Sequence, residues 1–217
     1  ESNHVDIVDK RDNLEDWYLK LNPNGVVPTL MHDDRTIIES NIIIEYLDDC
    51  FPETALRPDD PYKTAQMRLW MDRAETLVHK NINIISWNKR HMKRMSKYSH
   101  EEHRKILERF PNLEKRKIMI TRLENGVSSA EEMFAEKQLS SFMDEMENAL
   151  NKNPWLTGES FSLADIAIAP FIERFHANLL NQLVDFSKRP NIGIWWRNLT
   201  ARNSYTTTYA FQNPDAQ

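Results

Sequence analysis

Glycine is scarce in this chain, 4 residues in 217, against about 7% in average usage. That shortage argues against a loop-rich or all-β protein and toward one dominated by helices. Cysteine is scarcer still: Cys50 stands alone, which excludes an intrachain disulfide. Its neighbours Asp49 and Phe51 supply no cation to lower its pKa, so it reads as a buried structural thiol rather than a nucleophile. Neither sign of charge prevails. The 28 basic and 33 acidic residues interleave to a net −5, leaving no basic field, so nucleic acid is not an expected partner. No apolar run reaches membrane-spanning length and no signal-peptide pattern stands out. A reducing cytoplasm is the expected location, with no membrane partner.

What is present is enough hydrophobic content, 40% over 217 residues, for real cores and two domains. Val5, Ile7 and Val8 predict a brief strand. A helix with Leu14, Trp17, Tyr18 and Leu21 follows, opened by Asp12 or Asn13 and stopped by Asn22-Pro23. Strands near 27–32 and 36–38 flank a hairpin turn at Asp33-Asp34-Arg35. A helix from Asn41 to Phe51 then buries Ile43, Leu47 and Cys50 or Phe51. The order is β-α-β-β-α over residues 1–51. Prolines and acids make 52–61 a stiff polar linker.

Residues 62–217 read as an all-helical domain. Trp70, Ala74, Leu77, Val78 and Ile85 form one amphipathic stripe. Pro111 breaks a charged stretch from Asn88 to Glu124. Ser128 or Ser129 caps a helix reaching Leu150, with Phe134, Leu139, Phe142, Met146 and Leu150 facing inward. Ser162-Leu-Ala-Asp165 is a capping box with Asp in place of Glu, and Phe161 is placed to staple against Ile166. Pro170 interrupts the apolar run behind it. A last helix starts near Pro190 and carries Ile194, Trp195 and Leu199.

The segment Asn22 to Leu47 carries the chemistry. Pro28 cannot donate to a ladder, so it belongs at a strand start or edge. With a cis Val27–Pro28 bond, the Val27 backbone turns outward and can pair with an extended peptide as an added strand. Ser40 sits where an N-cap belongs, and free amides there attract a carboxylate. Glu39 beside it can accept an ammonium, so the pair opposes an amino acid's two charges with complementary partners.

The pattern Asn22-Pro-Asn-Gly-Val-Val-Pro-Thr-Leu30, then Glu39-Ser40, then Ile44-Glu-Tyr-Leu47 resembles the glutathione-binding half of the soluble glutathione S-transferases. Trp155-Leu-Thr-Gly158 and Phe161-Ser-Leu-Ala-Asp-Ile166 resemble the same family's helical half. The nearest subgroup is bacterial, of the β-etherase kind. The resemblance implies an α/β plus all-α protein: a thioredoxin-like N-terminal domain with a mixed sheet, incomplete here, and an all-helical C-terminal domain. It also implies glutathione as co-substrate, a small hydrophobic electrophile met in a cleft between the domains, and a homodimer.

By the same resemblance Val27 pairs with the cysteinyl unit, Pro28 shapes that edge, and Glu39 and Ser40 hold the γ-glutamyl end. In the family a first strand and helix precede this material, and the turn between them bears the Ser, Tyr or Cys that activates the thiol. The expectation is therefore that an N-terminal segment is missing and that the catalytic residue is unknown. The family also often places a lysine or arginine where this chain, between Asn22 and Pro28, has none, so a glycyl-carboxylate contact is not expected there. Ether cleavage, dehalogenation and a noncatalytic binding module remain as alternatives to conjugation.

Other signals have plainer explanations. His100 and His103 do not form HExxH and have no evident third ligand, so no metal is expected. Lys89, Arg90, Lys93, Arg94 and Lys97 read as a solvated helix face. Trp70 and Trp87 read first as core packing and second as lining for an aromatic substrate.

Overall fold

The computed structural model describes residues 1–178 and 180–212. A 3-10 turn at Asp12–Leu14 leads into α1 (Asp16–Leu21), whose cap is Glu15 rather than Asp12 or Asn13. Strands β1 (Thr29–His32) and β2 (Arg35–Ile38) pair antiparallel, Thr29 opposite Ile38 and His32 opposite Arg35. The loop between them is two residues, Asp33 and Asp34, both left-handed at φ 48° and 60°. That backbone matches the strand twist, and Asp tolerates it. Helix α2 (Ser40–Cys50) packs on both strands.

The strand expected at Val5–Val8 is absent. The Asp6 carboxylate instead accepts the N–H groups of Val8 and Asp9, both at 2.8 Å, and bends the chain into a turn. These bonds hold the Asp6 carboxyl below its ordinary pKa. Among the described residues the sheet is therefore the β1–β2 pair alone, antiparallel rather than mixed.

From Asp60, whose carboxylate caps the amides of Tyr62 and Lys63, the chain is helical through α3 (Pro61–Arg73), α4 (Lys80–Ser86) and α5 (Met92–Met95). Wider π turns lie at Ala74–His79 and Trp87–His91. Then come α6 (His100–Glu108), α7 (Leu113–Asn125), α8 (Ser129–Leu150), α9 (Leu163–Ala177), α10 (Pro190–Thr200) and α11 (Asn203–Gln212). Local chemistry sets most of these starts. Ser99 and Glu102 form a reciprocal capping box, Asn112 caps Lys115, and Ser128 exchanges bonds with Glu131.

Two compact units divide the chain. The first joins Glu1–Ala55 to Ile82–Ala135; the second joins Leu56–Asn81 to the described residues from Glu136 onward. Each is discontinuous in sequence. In the first, Leu14, Trp87, Leu107, Phe110, Leu123 and Val127 form a buried cluster. In the second, α3 packs against α9, and Met67, Phe142, Met146, Ile168, Phe175 and Trp195 are almost fully buried.

Phe134, expected inside, is 61% exposed, and of the alternatives Cys50 and Phe51 the latter is 57% exposed. Phe134 flanks the buried stripe of its helix, which turns it just past the buried arc, whereas Phe51 lies beyond the end of α2 at Cys50. Phe161 packs edge-to-face on Trp155 at 5.0 Å, beneath the Arg202 guanidinium at 3.8 Å. α9 runs through Pro170 without ending.

Gly25 adopts φ +61°, and a Cβ there would meet the Asn13 carbonyl and Pro111 Cδ at 3.2 Å. Gly25→Ala is expected to destabilise the first unit by about 1–3 kcal/mol, read as a lower denaturant midpoint in chemical unfolding.

Candidate functional site

The turn after α1 is built from side chains that close on their own backbone. Asn22 Oδ1 accepts the Asn24 N–H at 3.0 Å, the Gly25 N–H reaches the Asn22 carbonyl at 2.9 Å, and Asn13 donates to the Gly25 carbonyl at 2.7 Å. The chain then arrives at a cis Val27–Pro28 peptide immediately before β1. Val27 is 40% exposed. Among the described residues neither its N–H nor its C=O has a hydrogen-bond partner. An N–H and a C=O left open beside a strand are what an added extended peptide requires.

Glu39 and Ser40 stand at the end of β2, both exposed. The structure corrects the expected cap. Glu39, not Ser40, is the cap residue, at φ 69° and ψ 116°, and Ser40 is the first helical residue. A non-glycine residue at that φ is strained by roughly 1–3 kcal/mol, and such strain concentrates at functional positions. Intrahelical bonding begins with the Ile43 N–H on the Glu39 carbonyl at 2.9 Å. The first-turn amides of α2 therefore lie beyond the helix's own ladder and point past its N-terminus. Asn24 donates to Glu39 Oε1 at 3.2 Å, which ties the carboxylate to the turn that presents Val27. The four residues singled out in sequence thus lie on two neighbouring pieces of the first unit. The Asn24 link between them was not evident beforehand, because it spans fifteen residues.

Cys50 is half-buried rather than buried. The neighbouring Cys50 thiol is the chief cause of a raised Tyr46 pKa, and the Tyr46 hydroxyl contacts His32 Nδ1 at 2.8 Å. The i, i+4 spacing of Tyr46 and Cys50 is the signal that could have disclosed it.

His103 turns away from a partnership with the exposed His100. Its Nε2 meets His91 Nε2 at 3.0 Å, and His91 stacks on Trp87 at 4.1 Å. Among the described residues no group of three or more His, Cys, Asp or Glu side chains is placed to hold a metal. Trp87 is core, 5% exposed, and Trp70 meets Phe142 edge-on at 5.6 Å. In the basic cluster Lys97 pairs with Asp9.

Burial, then the charges of His103, Arg11 and Arg94, lower the His91 pKa from 6.5 to about 4, and burial lowers His103 too. The unfolded chain therefore takes up these protons first as pH falls. The pair costs no stability above pH 6.5, and the folded state loses ground from there down to about 4. Urea titrations at pH 7.5 and 4.5 are expected to show that loss, and His91→Gln is expected to shrink it.

Comparisons with known proteins agree with this architecture. The family profile described as "Glutathione S-transferase, N-terminal domain" matches residues 2–55, and "Glutathione S-transferase, C-terminal domain" matches residues 121–193. Protein LigF of Sphingobium sp. (strain NBRC 103272 / SYK-6) is 34% identical over 206 residues, covering 89% of this chain and 77% of LigF. Glutathione S-transferase GstB of Escherichia coli (strain K12) is 30% identical over 188 residues, 85% of this chain and 74% of that protein. The crystal structure of β-etherase LigF superposes with a TM-score of 0.85 at 29% identity, over 93% of this chain and 86% of that one. A Burkholderia graminis glutathione transferase, solved with two glutathione molecules per subunit, shares the fold at a TM-score of 0.72 and 17% identity, covering all of this chain and 79% of that one.

Proposed function

The chain belongs to the glutathione S-transferase family, a thioredoxin-like domain followed by a helical one, and from that premise we propose that it binds glutathione through Val27, Pro28, Glu39 and Ser40. The family's co-substrate is glutathione. The observation that carries the assignment is the unpaired Val27 main chain beside a carboxylate and a helix start. Val27 C=O accepts the cysteinyl N–H, and Val27 N–H donates to the cysteinyl C=O. The γ-glutamyl ammonium rests on Glu39, and its α-carboxylate takes the Ser40 hydroxyl and the first amides of α2.

The chemistry that follows is attack of the glutathione thiolate on a small hydrophobic electrophile. A new S–C bond forms and a leaving group departs with the electron pair of the bond it breaks. The likeness to LigF, whose solved structure is titled a β-etherase, favours a second version in which a C–O bond breaks and the phenolate leaves. The resemblance to a tetrachloro-p-hydroquinone reductive dehalogenase of Sphingobium chlorophenolicum, 27% identical over 220 residues, 96% of this chain and 85% of that enzyme, makes dehalogenation a further form to assay.

The proposal retains the division into 1–51, 52–61 and 62–217, a homodimer and a cytoplasmic setting. No helix among the described residues is long and apolar enough to cross a membrane. Calorimetry of the protein with glutathione tests the reading, and the absence of saturable binding refutes it. Mass spectrometry of products from glutathione with an aryl halide and with a β-aryl ether separates conjugation from ether cleavage. Binding with no turnover of any electrophile identifies a noncatalytic module.

A further inference from the structure

We infer that Tyr18, Asn22 and Thr29 are positioning residues for glutathione: their hydrogen bonds hold the Val26 carbonyl inward and so keep the Val27 main chain open to the ligand. The inference rests on the proposed role of Val27 and extends it to residues that touch no ligand.

The bond directions are forced. Val26 C=O can only accept, so the Tyr18 hydroxyl, 2.6 Å away, spends its proton there. The 2.8 Å contact between Tyr18 and Thr29 must then have the Thr29 hydroxyl donating. The Asn22 amide supplies the remaining protons, one to Val26 C=O at 2.8 Å and one to Thr29 Oγ1 at 3.2 Å. Asn22 Oδ1 is occupied by the Asn24 N–H at 3.0 Å.

The result is a closed network in which two donors converge on Val26 C=O. Tyr18 and Asn22 are buried, at 2% and 0% exposure, so their bonds meet little competition from water. Tyr18 and Asn22 come from α1 and its end, whereas Thr29 opens β1. The network therefore grips the chain at Val26 and Thr29, on either side of Val27 and Pro28, and leaves the Val27 main chain unpaired. Rotation of the Val26–Val27 peptide, which would take the Val27 N–H out of line with a ligand, breaks both donor bonds on the carbonyl. A ligand that pairs with this edge meets groups already oriented, and less ordering cost is subtracted from its affinity.

The test is glutathione titration of the full chain by calorimetry, well below the melting temperature. Tyr18→Phe and Thr29→Val are each expected to weaken binding roughly fivefold, the loss of about one hydrogen bond's worth of orientation. The two together should cost clearly less than the product of the two single effects, because the groups act as a unit. Thr29→Ser keeps the hydroxyl and is expected to bind within about twofold of the parent.

A purely structural role predicts otherwise. Ile168→Val, a cavity-forming control in the core of the second unit, lowers the melting temperature and should leave glutathione binding unchanged. Parent-like binding by Tyr18→Phe and Thr29→Val overturns the inference, as does Thr29→Ser behaving like Thr29→Val. If Tyr18→Phe fails to fold, the Thr29 pair alone decides. Loss of binding by a Glu39→Ala, Ser40→Ala protein alongside unaffected Tyr18 and Thr29 variants would sink the positioning role alone, and parent-like binding by all of them would sink the site.

Discussion

A Glu39→Ala, Ser40→Ala protein is expected to lose about a hundredfold in glutathione affinity, measured by calorimetry, while melting at nearly the parent temperature. Two charge-assisted contacts disappear, each worth about 1.5 kcal/mol or more, and together they amount to about two decades in Kd. Folding has little at stake in either side chain. Both are exposed, neither caps α2 through its side chain, and the bond from Asn24 to Glu39 Oε1 lies at the surface.

Glu39→Gly sharpens the comparison, because glycine accepts φ 69° without strain. It should lose roughly tenfold in affinity, the share of the Glu39 contact alone, yet melt no lower than the parent. Stability and binding would then move apart at one position, which a residue present only for folding does not do. Retained affinity in the double variant, within about threefold of the parent (less than a single hydrogen bond's worth), removes these two residues from the site.

Asp165→Ala is expected to destabilise the second unit by about 4 kcal/mol or more, on the order of 10 °C in melting temperature for a chain of this size. Oδ1 accepts from the Leu156 N–H at 3.1 Å and from Trp195 Nε1 at 2.8 Å. Oδ2 accepts from the Ser162 N–H at 2.9 Å and from its hydroxyl at 3.0 Å. The residue is completely buried, and burial pushes its carboxyl pKa up while these donors pull it down. Truncation strands at least three buried N–H groups with no water to replace the acceptor.

Asp165→Asn should not rescue the protein. Both oxygens are used as acceptors, so the amide nitrogen faces an existing donor whichever way it is turned. Thermal melts and soluble yield report the effect. An Asn variant melting within about 3 °C of the parent, a shift worth roughly 1 kcal/mol, would show that the carboxylate is not what joins α9 to the Trp155 turn and α10.

The residues that were legible beforehand share one property, that their partners lie within a few positions. Asn22-Pro23 ends α1, Asp33-Asp34 supplies a two-residue left-handed turn, and Asp165 closes the Ser162 box three residues away. Ser99 with Glu102 follows the same S-x-x-E rule and was readable in the same way. Glu39 was read as the neighbour of a cap, and the structure makes it the cap itself. The φ of the residue that turns a strand into a helix depends on where the helix lands against the sheet.

By itself the order of residues determined the family, the hairpin, the starts of α8, α9 and α10 and the four residues proposed to meet glutathione. Hydrogen bonds and apolar stripes of short period are written in neighbouring side chains. Only the folded chain decided the rest. His91 meets His103 across twelve residues, Asn24 reaches Glu39 across fifteen, Tyr18 and Thr29 enclose Val26 from opposite elements, and Val5–Val8 yields its strand to an Asp6 turn. Those partners are chosen by packing, because which groups are shut away from water together, and so must satisfy one another, is a property of three-dimensional proximity that no local pattern carries.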